Sequence, residues 1–152
     1  MIKKILLGLI VLGVGIQFIR PAKNLSATPE KTDLLVLHTA PAEVKQLLLM
    51  GCYDCHSENT RYPWYAEIQP LAWWLDAHVR DGKREFNFST FGDLSAKKKA
   101  SRLEEVIDQI GSRKMPLKSY TLVHRDAIFT DPQVKAINDW LESVRDKVAP
   151  QE

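Results

Sequence analysis

Residues 52–56 have the sequence CYDCH and contain both cysteines of the 152-residue chain. The spacing C-x-x-C-H is the attachment pattern of a c-type haem. In this pattern each thiol adds to one vinyl group of the porphyrin, and the adjacent imidazole binds the iron from the proximal side. The sequence therefore predicts one covalently attached haem c, with Cys52 and Cys55 as the thioether residues and His56 as an iron ligand.

Paired cysteines also occur in structural zinc sites and in thioredoxin-like redox proteins. A structural zinc site needs four ligands, so it would have to recruit His38, His78 or His124 in addition to the motif. A thioredoxin-like protein needs alternating strands and helices, and no segment of this chain alternates convincingly at period two. A thiol or zinc module is therefore the less favoured alternative to haem.

The N-terminus has the composition of an export signal or a membrane anchor. Lys3 and Lys4 precede an apolar run over residues 5–19. As a helix this run would extend about 22 Å, against about 30 Å for a hydrocarbon core. Because no small-x-small cleavage site follows it, residues 1–20 are predicted to be a retained anchor rather than a cleaved signal peptide. The rest of the chain is then expected at the periplasmic side of the bacterial inner membrane, or free in the periplasm if cleavage occurs.

The distribution of charge argues against a nucleic-acid partner. Residues 1–29 carry four basic side chains and no acidic one, which leaves 17 basic and 19 acidic residues in the remainder. A nucleic-acid interface needs a basic face with interleaved aromatic residues, and this remainder is slightly acidic. The membrane, through the N-terminal segment, and redox proteins are the expected partners.

Residues 21–39 are predicted to be a linker, because their first part, to about Thr32, is polar and rich in turn-forming residues. Such a linker would hold a small domain away from a membrane surface. The domain itself is predicted over residues 40–148.

Four segments of this domain have apolar residues at the spacing of an amphipathic helix. Their predicted starts are Pro41, Pro70, a position after Asp93 or Ser95, and a capping box of Thr130 with Gln133 around Pro132. The first three are predicted to end near Gly51, at Gly82 and at a C-terminal cap on Gly111. Residues 57–69 and 87–92 are predicted to be ordered loops. The fold class is therefore all-α, a small cytochrome c-like bundle of about four helices around one haem, preceded by an N-terminal signal or anchor helix.

The sixth iron ligand decides between electron transfer and ligand chemistry. Apart from the initiator, the methionines are Met50, too close to the motif to reach the opposite haem face, and Met115, which Pro116 keeps out of a helix. Met115 is the favoured ligand, and a thioether there would favour the ferrous state. His78, His124 and an open site remain alternatives. An open or displaceable site would indicate a haem peroxidase or a gas sensor.

The aromatic residues Tyr62, Trp64, Tyr65, Trp73 and Trp74 follow the motif. They form either a wall of the haem site or ordinary core, and for Trp74 the helical spacing favours core packing.

Several basic residues are candidates for electrostatic roles. Arg61 and Arg80 are candidate partners of the haem propionates, and residues 97–99 with Arg102 are predicted to form a solvated helix face. A basic rim beside Met115 would steer an acidic redox partner. Its members are Arg113, Lys114 and Lys118.

The chain resembles a family of small bacterial haem-binding domains related to monohaem cytochromes c. The resemblance covers about residues 40–145. It is carried by C-x-x-C-H-S at 52–57, T-R-Y-P-W-Y at 60–65, Trp73-Trp74, Met115-Pro116 and Trp140-Leu141. Leu117 stands where the family pattern has a second proline.

This resemblance implies a periplasmic, membrane-tethered c-type haem protein with Cys52 and Cys55 as thioether sites and His56 as proximal ligand. It supports Met115 as the distal ligand and names no redox partner. The predicted function is a one-electron carrier, and the predicted alternatives are the peroxidase or gas sensor and the thiol or zinc module.

Overall fold

The structure, a computed structural model, describes residues 1–26 and 30–150, and these contain helices and loops but no strand. Residues 27–29, which belong to the predicted linker, and residues 151–152 lie outside the described part. The α-helices are α1 (Ile2–Gly15), α2 (Leu34–Leu37), α3 (Ala42–Gly51), α4 (Tyr53–His56), α5 (Leu71–Glu85), α6 (Ala96–Gly111), α7 (Lys118–Thr121) and α8 (Asp131–Val148). Short 3-10 helices lie at Ile16–Phe18, Trp64–Glu67, Phe88–Asp93 and Arg125–Ala127.

The four predicted domain helices are confirmed as α3, α5, α6 and α8. The capping box of α8 is present, since the Thr130 hydroxyl accepts from the Gln133 backbone and the Gln133 side chain accepts from Thr130 N–H at 2.9 Å. One predicted helix end was wrong, because α5 continues three residues past Gly82. α6 ends at Gly111 as predicted, but the cap position is Ser112 and the left-handed backbone lies at Arg113, with φ 60°.

The core lies between the apolar faces of α6 and α8 and is covered by α3. It also contains Phe88 and Phe91, which belong to a segment predicted to be a loop. The Asn87 side chain accepts from Ser89 N–H at 3.0 Å and begins a 3-10 helix there, which turns both rings inward. Each fully buried phenylalanine contributes about 1.5–3 kcal/mol of transfer free energy. This segment is therefore part of the core.

The second half of the predicted linker also packs against the domain. Leu34 is completely buried in the core. The Asp33 carboxylate accepts from Leu35 N–H at 2.8 Å and from the Tyr53 hydroxyl at 2.9 Å. Gly92 N–H donates to the carbonyl of Thr32 at 2.8 Å. The core therefore begins before residue 40.

The first half of the predicted linker is bound to the domain as well, so it does not hold the domain away from α1. Gln69 N–H donates to Oε1 of Gln17 at 2.9 Å, and Nδ2 of Asn24 donates to the Ser57 carbonyl at 2.8 Å. α1 itself has no buried residue. Among the described helices, none combines the length and apolarity needed to cross a membrane.

Candidate functional site

The C-x-x-C-H motif forms its own short helix. α3 ends at Gly51, Cys52 departs from helical geometry with φ −127° and ψ −47°, and α4 then runs to His56. Cys52 and Cys55 nevertheless line one cavity beside the motif. The motif therefore presents both thiols to the same space.

His56 is oriented by a backbone carbonyl. Its Nδ1 lies 2.9 Å from the carbonyl oxygen of Phe86. Because a carbonyl can only accept, Nδ1 must carry the hydrogen, which leaves the Nε2 lone pair free. Burial lowers the pKa of His56 and favours the neutral imidazole. A neutral ring with a free Nε2 and a fixed Nδ1 is the form that binds a metal.

The two thiols are not activated as nucleophiles or redox groups. Burial raises the pKa of Cys52 to about 12, and burial followed by the charge of Asp54 raises the pKa of Cys55 to about 11. Redox-active cysteines need the opposite shift, which makes the thiolate accessible at neutral pH. The part of the chain that the structure covers also has no group of three Cys, His, Asp or Glu side chains arranged to hold a metal ion. The thiol and zinc alternatives gain no support.

A cleft of about 660 Å³ opens beside the motif. Its volume lies within the range of about 300–1,000 Å³ that is usual for cofactor sites. It is lined by the candidate residues Cys52, Cys55, His56, Met115 and His78. Its apolar lining comes mainly from Phe86, Phe88, Val106, Ile110 and Leu117.

Met115 reaches the cleft through a turn after α6. Arg113 adopts left-handed backbone, and Met115 N–H donates back to the Gln109 carbonyl at 3.1 Å. The Arg113 guanidinium donates to the Phe129 carbonyl at 2.6 Å and pairs with Asp131. Arg113 of the predicted basic rim therefore secures the Met115 turn and has an acidic neighbour.

The two alternative histidines differ in position. His78 lines the cleft, with Nδ1 2.8 Å from the Trp74 carbonyl. It lies on α5, which packs against α4, whereas Met115 follows α6, which packs against α8. His124 stacks on Tyr120 and its Nε2 lies 2.9 Å from the Tyr65 hydroxyl, outside the lining of the cleft.

Asp54, between the two cysteines, ties the motif to two other segments. Its carboxylate is buried, accepts from the Tyr120 hydroxyl at 2.9 Å and accepts from Arg61 N–H, Nε and Nη2 at 3.1 Å each. Burial and the negative charge of Asp54 raise the pKa of Tyr120, which therefore stays protonated as a donor. The Arg61 guanidinium therefore pairs with Asp54, whereas it was predicted to pair with a haem propionate.

We expect Tyr120→Phe to lower the free energy of unfolding of the holoprotein by about 1–3 kcal/mol, because a hydrogen bond to a buried carboxylate is lost. Urea denaturation followed by far-UV circular dichroism measures this. The matched control is Tyr65→Phe, whose hydroxyl bonds only the half-buried His124 in this network. Its loss should be about 0.5 kcal/mol. Equal losses in the two variants would contradict the importance of the Asp54 network.

The structure places a different arginine at the cleft from those predicted. Arg80 is exposed and pairs with Asp76, whereas Arg102 lines the cleft and bonds Glu105 at 2.6 Å. The Arg102 side chain is 41% exposed, so it is solvated as predicted, but it also lies at the cleft, which was not predicted. The signal was available in the sequence, since Arg102 precedes Val106 by four residues and shares its helical face.

The predicted aromatic wall is also wrong. The aromatic side chains that line the cleft are Phe86, Phe88 and Tyr120. Trp64 and Trp74 point to solvent, with exposed fractions of 76% and 45%. The helical spacing of Trp74 therefore indicated neither core packing nor a haem contact.

Gly82 permits the close approach of α5 to the motif. A Cβ at this position would lie 2.6 Å from the Cys55 carbonyl oxygen, too close for any real contact. We expect Gly82→Ala to destabilise the holoprotein by about 1–3 kcal/mol despite its better helix propensity. The thermal midpoint should fall, and thermal melting followed by circular dichroism measures it.

The matched control is Gly111→Ala, because that Cβ would meet only the end of the Asn138 amide, at 3.3 Å. Its helix propensity should make it neutral or stabilising by up to about 1 kcal/mol. If Gly82→Ala behaved like Gly111→Ala, the contact between α5 and α4 would not constrain the motif.

The residues of the cleft fit a haem. They comprise two adjacent thiols, an imidazole with a free Nε2, a thioether and an apolar lining. The family of haem-binding domains matches residues 11–143 of the chain. No curated protein and no solved structure matches it. Since the family match spans most of the sequence and the cleft has the corresponding donor set, the chain belongs to the family of haem-binding domains.

Proposed function

We propose that this protein is a monohaem c-type cytochrome that carries single electrons at the periplasmic side of the bacterial inner membrane. The observation that carries the proposal is the meeting of Cys52, Cys55, His56 and Met115 in one cleft, although Met115 is distant from the other three in sequence. A haem bound there supplies one-electron redox chemistry at its iron.

The attachment chemistry needs no oxidant. Each thiol would add its sulfur to one carbon and its hydrogen to the other carbon of a haem vinyl double bond. The Phe86 carbonyl keeps the hydrogen of His56 on Nδ1, so His56 would hold the iron through Nε2. Met115 would hold the iron through its thioether, which would favour the ferrous state.

The position of Met115 supports it over His78 as the distal ligand. His56 on α4 and His78 on α5 belong to helices that pack against each other, and α6, which leads to Met115, belongs to the other packed pair. A ligand opposite His56 is expected from the other pair. His124, outside the lining, is not supported.

The N-terminal segment supports anchoring in the membrane. α1 is apolar and has no buried residue. Lys3 and Lys4 lie in its first turn, Arg20 and Lys23 follow it, and no acidic residue occurs before residue 30. Anchoring would retain the domain on the periplasmic side and bring its redox partners to the membrane.

Two spectra of the full chain, made with a cytochrome c maturation system, test the proposal. The pyridine haemochrome counts the covalent haem, and the spectrum of the native protein with and without carbon monoxide gives the spin state and shows whether the sixth position is open. We expect one covalent haem per chain with a low-spin spectrum that carbon monoxide does not change. A high-spin, carbon-monoxide-binding spectrum would select a peroxidase or gas sensor. Absence of covalent haem after export would reject the c-type assignment.

A further inference from the structure

An exposed apolar surface surrounds the place where α1 joins the domain. We call it the apolar collar. Its members come from the end of the N-terminal segment, the 3-10 helix at Trp64–Glu67 and the start of α5. Each member is between 42% and 83% exposed. The collar consists of Phe18, Ile19, Trp64, Ile68, Leu71 and Trp74.

The collar is held at the base of α1 by hydrogen bonds rather than by a flexible tether. The Ile19 carbonyl accepts from Gln69 Nε2 at 2.8 Å and from Trp73 Nε1 at 2.9 Å. Gln17 bonds both backbone groups of Gln69. Glu67 pairs with Arg20 and, at 2.6 Å, with Lys23. Any surface that binds α1 therefore also contacts the collar.

The nature of α1 indicates what covers this surface. Large apolar residues along the whole helix are exposed by more than half, so no single face is set apart for a partner helix. A helix that is apolar on every side needs apolar surroundings on every side, whereas a second copy of the chain would cover one stripe. The segment also begins with Lys3 and Lys4 and ends with Arg20 and Lys23. Basic residues at its ends suit anionic lipid headgroups and would repel those of a parallel copy.

We propose that the apolar collar rests on the surface of a lipid bilayer into which α1 inserts, so that the domain has one fixed orientation on the membrane. This inference rests on the anchoring in the proposed function and adds a second, independent contact. The apolar part of the helical segment, residues 5–18, extends about 22 Å, against a hydrocarbon core of about 30 Å. A short hydrophobic segment draws its flanking residues toward the bilayer. Two collar members are tryptophans, which favour the membrane interface.

The fixed orientation has a consequence for the cleft. α5 begins in the collar at Leu71 and reaches the cleft at His78 and Gly82. From Trp74 to Gly82 the rise along the helix is about 12 Å. The haem site is therefore close to the bilayer, and partners approach it at the membrane surface.

Site-specific photocrosslinking tests the collar. A benzophenone amino acid is introduced at position 64 or 74 of the full-length holoprotein, in vesicles of phosphatidylcholine and phosphatidylglycerol. Position 36 is the matched control, because Val36 is an apolar residue, 55% exposed, on α2, outside the collar. We expect mass spectrometry to detect lipid adducts at positions 64 and 74 and no lipid adduct at position 36.

Vesicle flotation separates the collar from the anchor, and the haem spectrum checks that each variant is folded. Flotation without lipid adducts at positions 64 and 74, or with equal adducts at all three positions, overturns the collar and leaves the anchor intact. Crosslinks between two copies through positions 64 or 74 assign the surface to self-association instead. Failure to float overturns both the anchor and the collar, while the covalent haem, measured separately, remains a test of the cytochrome itself.

Discussion

Replacing both Cys52 and Cys55 with alanine is expected to abolish covalent haem and to leave the chain poorly folded. Cys52 and Cys55 are the only cysteines in the sequence, so no other residue can form a thioether with the haem. The cleft of about 660 Å³ would lose the group that fills it, and its apolar lining, including Phe86 and Phe88, would face water. A small domain has little other core with which to offset that loss.

Intact-mass measurement and haem staining of a denaturing gel give the first result, with no added porphyrin mass on the double variant. Circular dichroism gives the second, with lower helix content and no cooperative thermal transition. The single variants Cys52→Ala and Cys55→Ala are the controls, because each keeps one thioether and should retain partial covalent haem. Native-like, cooperative melting of the haem-free double variant would show that the fold does not depend on the cofactor.

Replacing Met115 with alanine is expected to lower the midpoint potential and to open the iron to carbon monoxide. A thioether stabilises ferrous iron, and axial ligands shift haem potentials within a range of about 0.8 V, so a decrease on the order of 100 mV is expected. The turn at Arg113 is held by bonds to Phe129 and Asp131 that do not involve the sulfur. The variant should therefore keep its fold. Spectroelectrochemical titration and the carbon monoxide difference spectrum measure both effects.

His78→Ala is the matched control, because His78 lines the same cleft but bonds the Trp74 carbonyl of its own helix. Its potential and spectrum should stay close to those of the unmodified protein. A spectrum changed by His78→Ala and not by Met115→Ala would assign the sixth position to the histidine. Met115→His adds a further check, since it should restore a low-spin spectrum at a lower potential.

Patterns that act over one or two helical turns were predictable from the sequence. The capping box at Thr130 depends only on Gln133 three residues later, and both bonds are present. The four main helices follow from apolar spacing, which is local for the same reason. The end of α5 was less predictable. Gly82 packs against Cys55, which is distant in sequence, and it does not end the helix.

Side-chain burial at isolated positions was not predictable. Leu34 begins an apolar run of only four residues, 34–37, and Phe88 lies in a turn-rich stretch. Neither segment is long enough to show the periodicity that marks a buried face, yet both residues are in the core. Trp64 and Trp74 show the reverse case. Both are bulky aromatic residues close in sequence to the C-x-x-C-H motif, and both are exposed. Each outcome depends on which surfaces the folded chain brings together.

The sequence by itself determined the all-helical class, the four main helices and the close spacing of two thiols and an imidazole in the C-x-x-C-H motif, because each depends on residues within a few positions of one another. Tertiary structure decided what surrounds that motif. It brought Met115 and Arg102 to the cleft, held His56 by the Phe86 carbonyl and bound residues 17–24 to the domain. These contacts join positions that are distant along the chain, and only packing of the apolar faces brings such positions together.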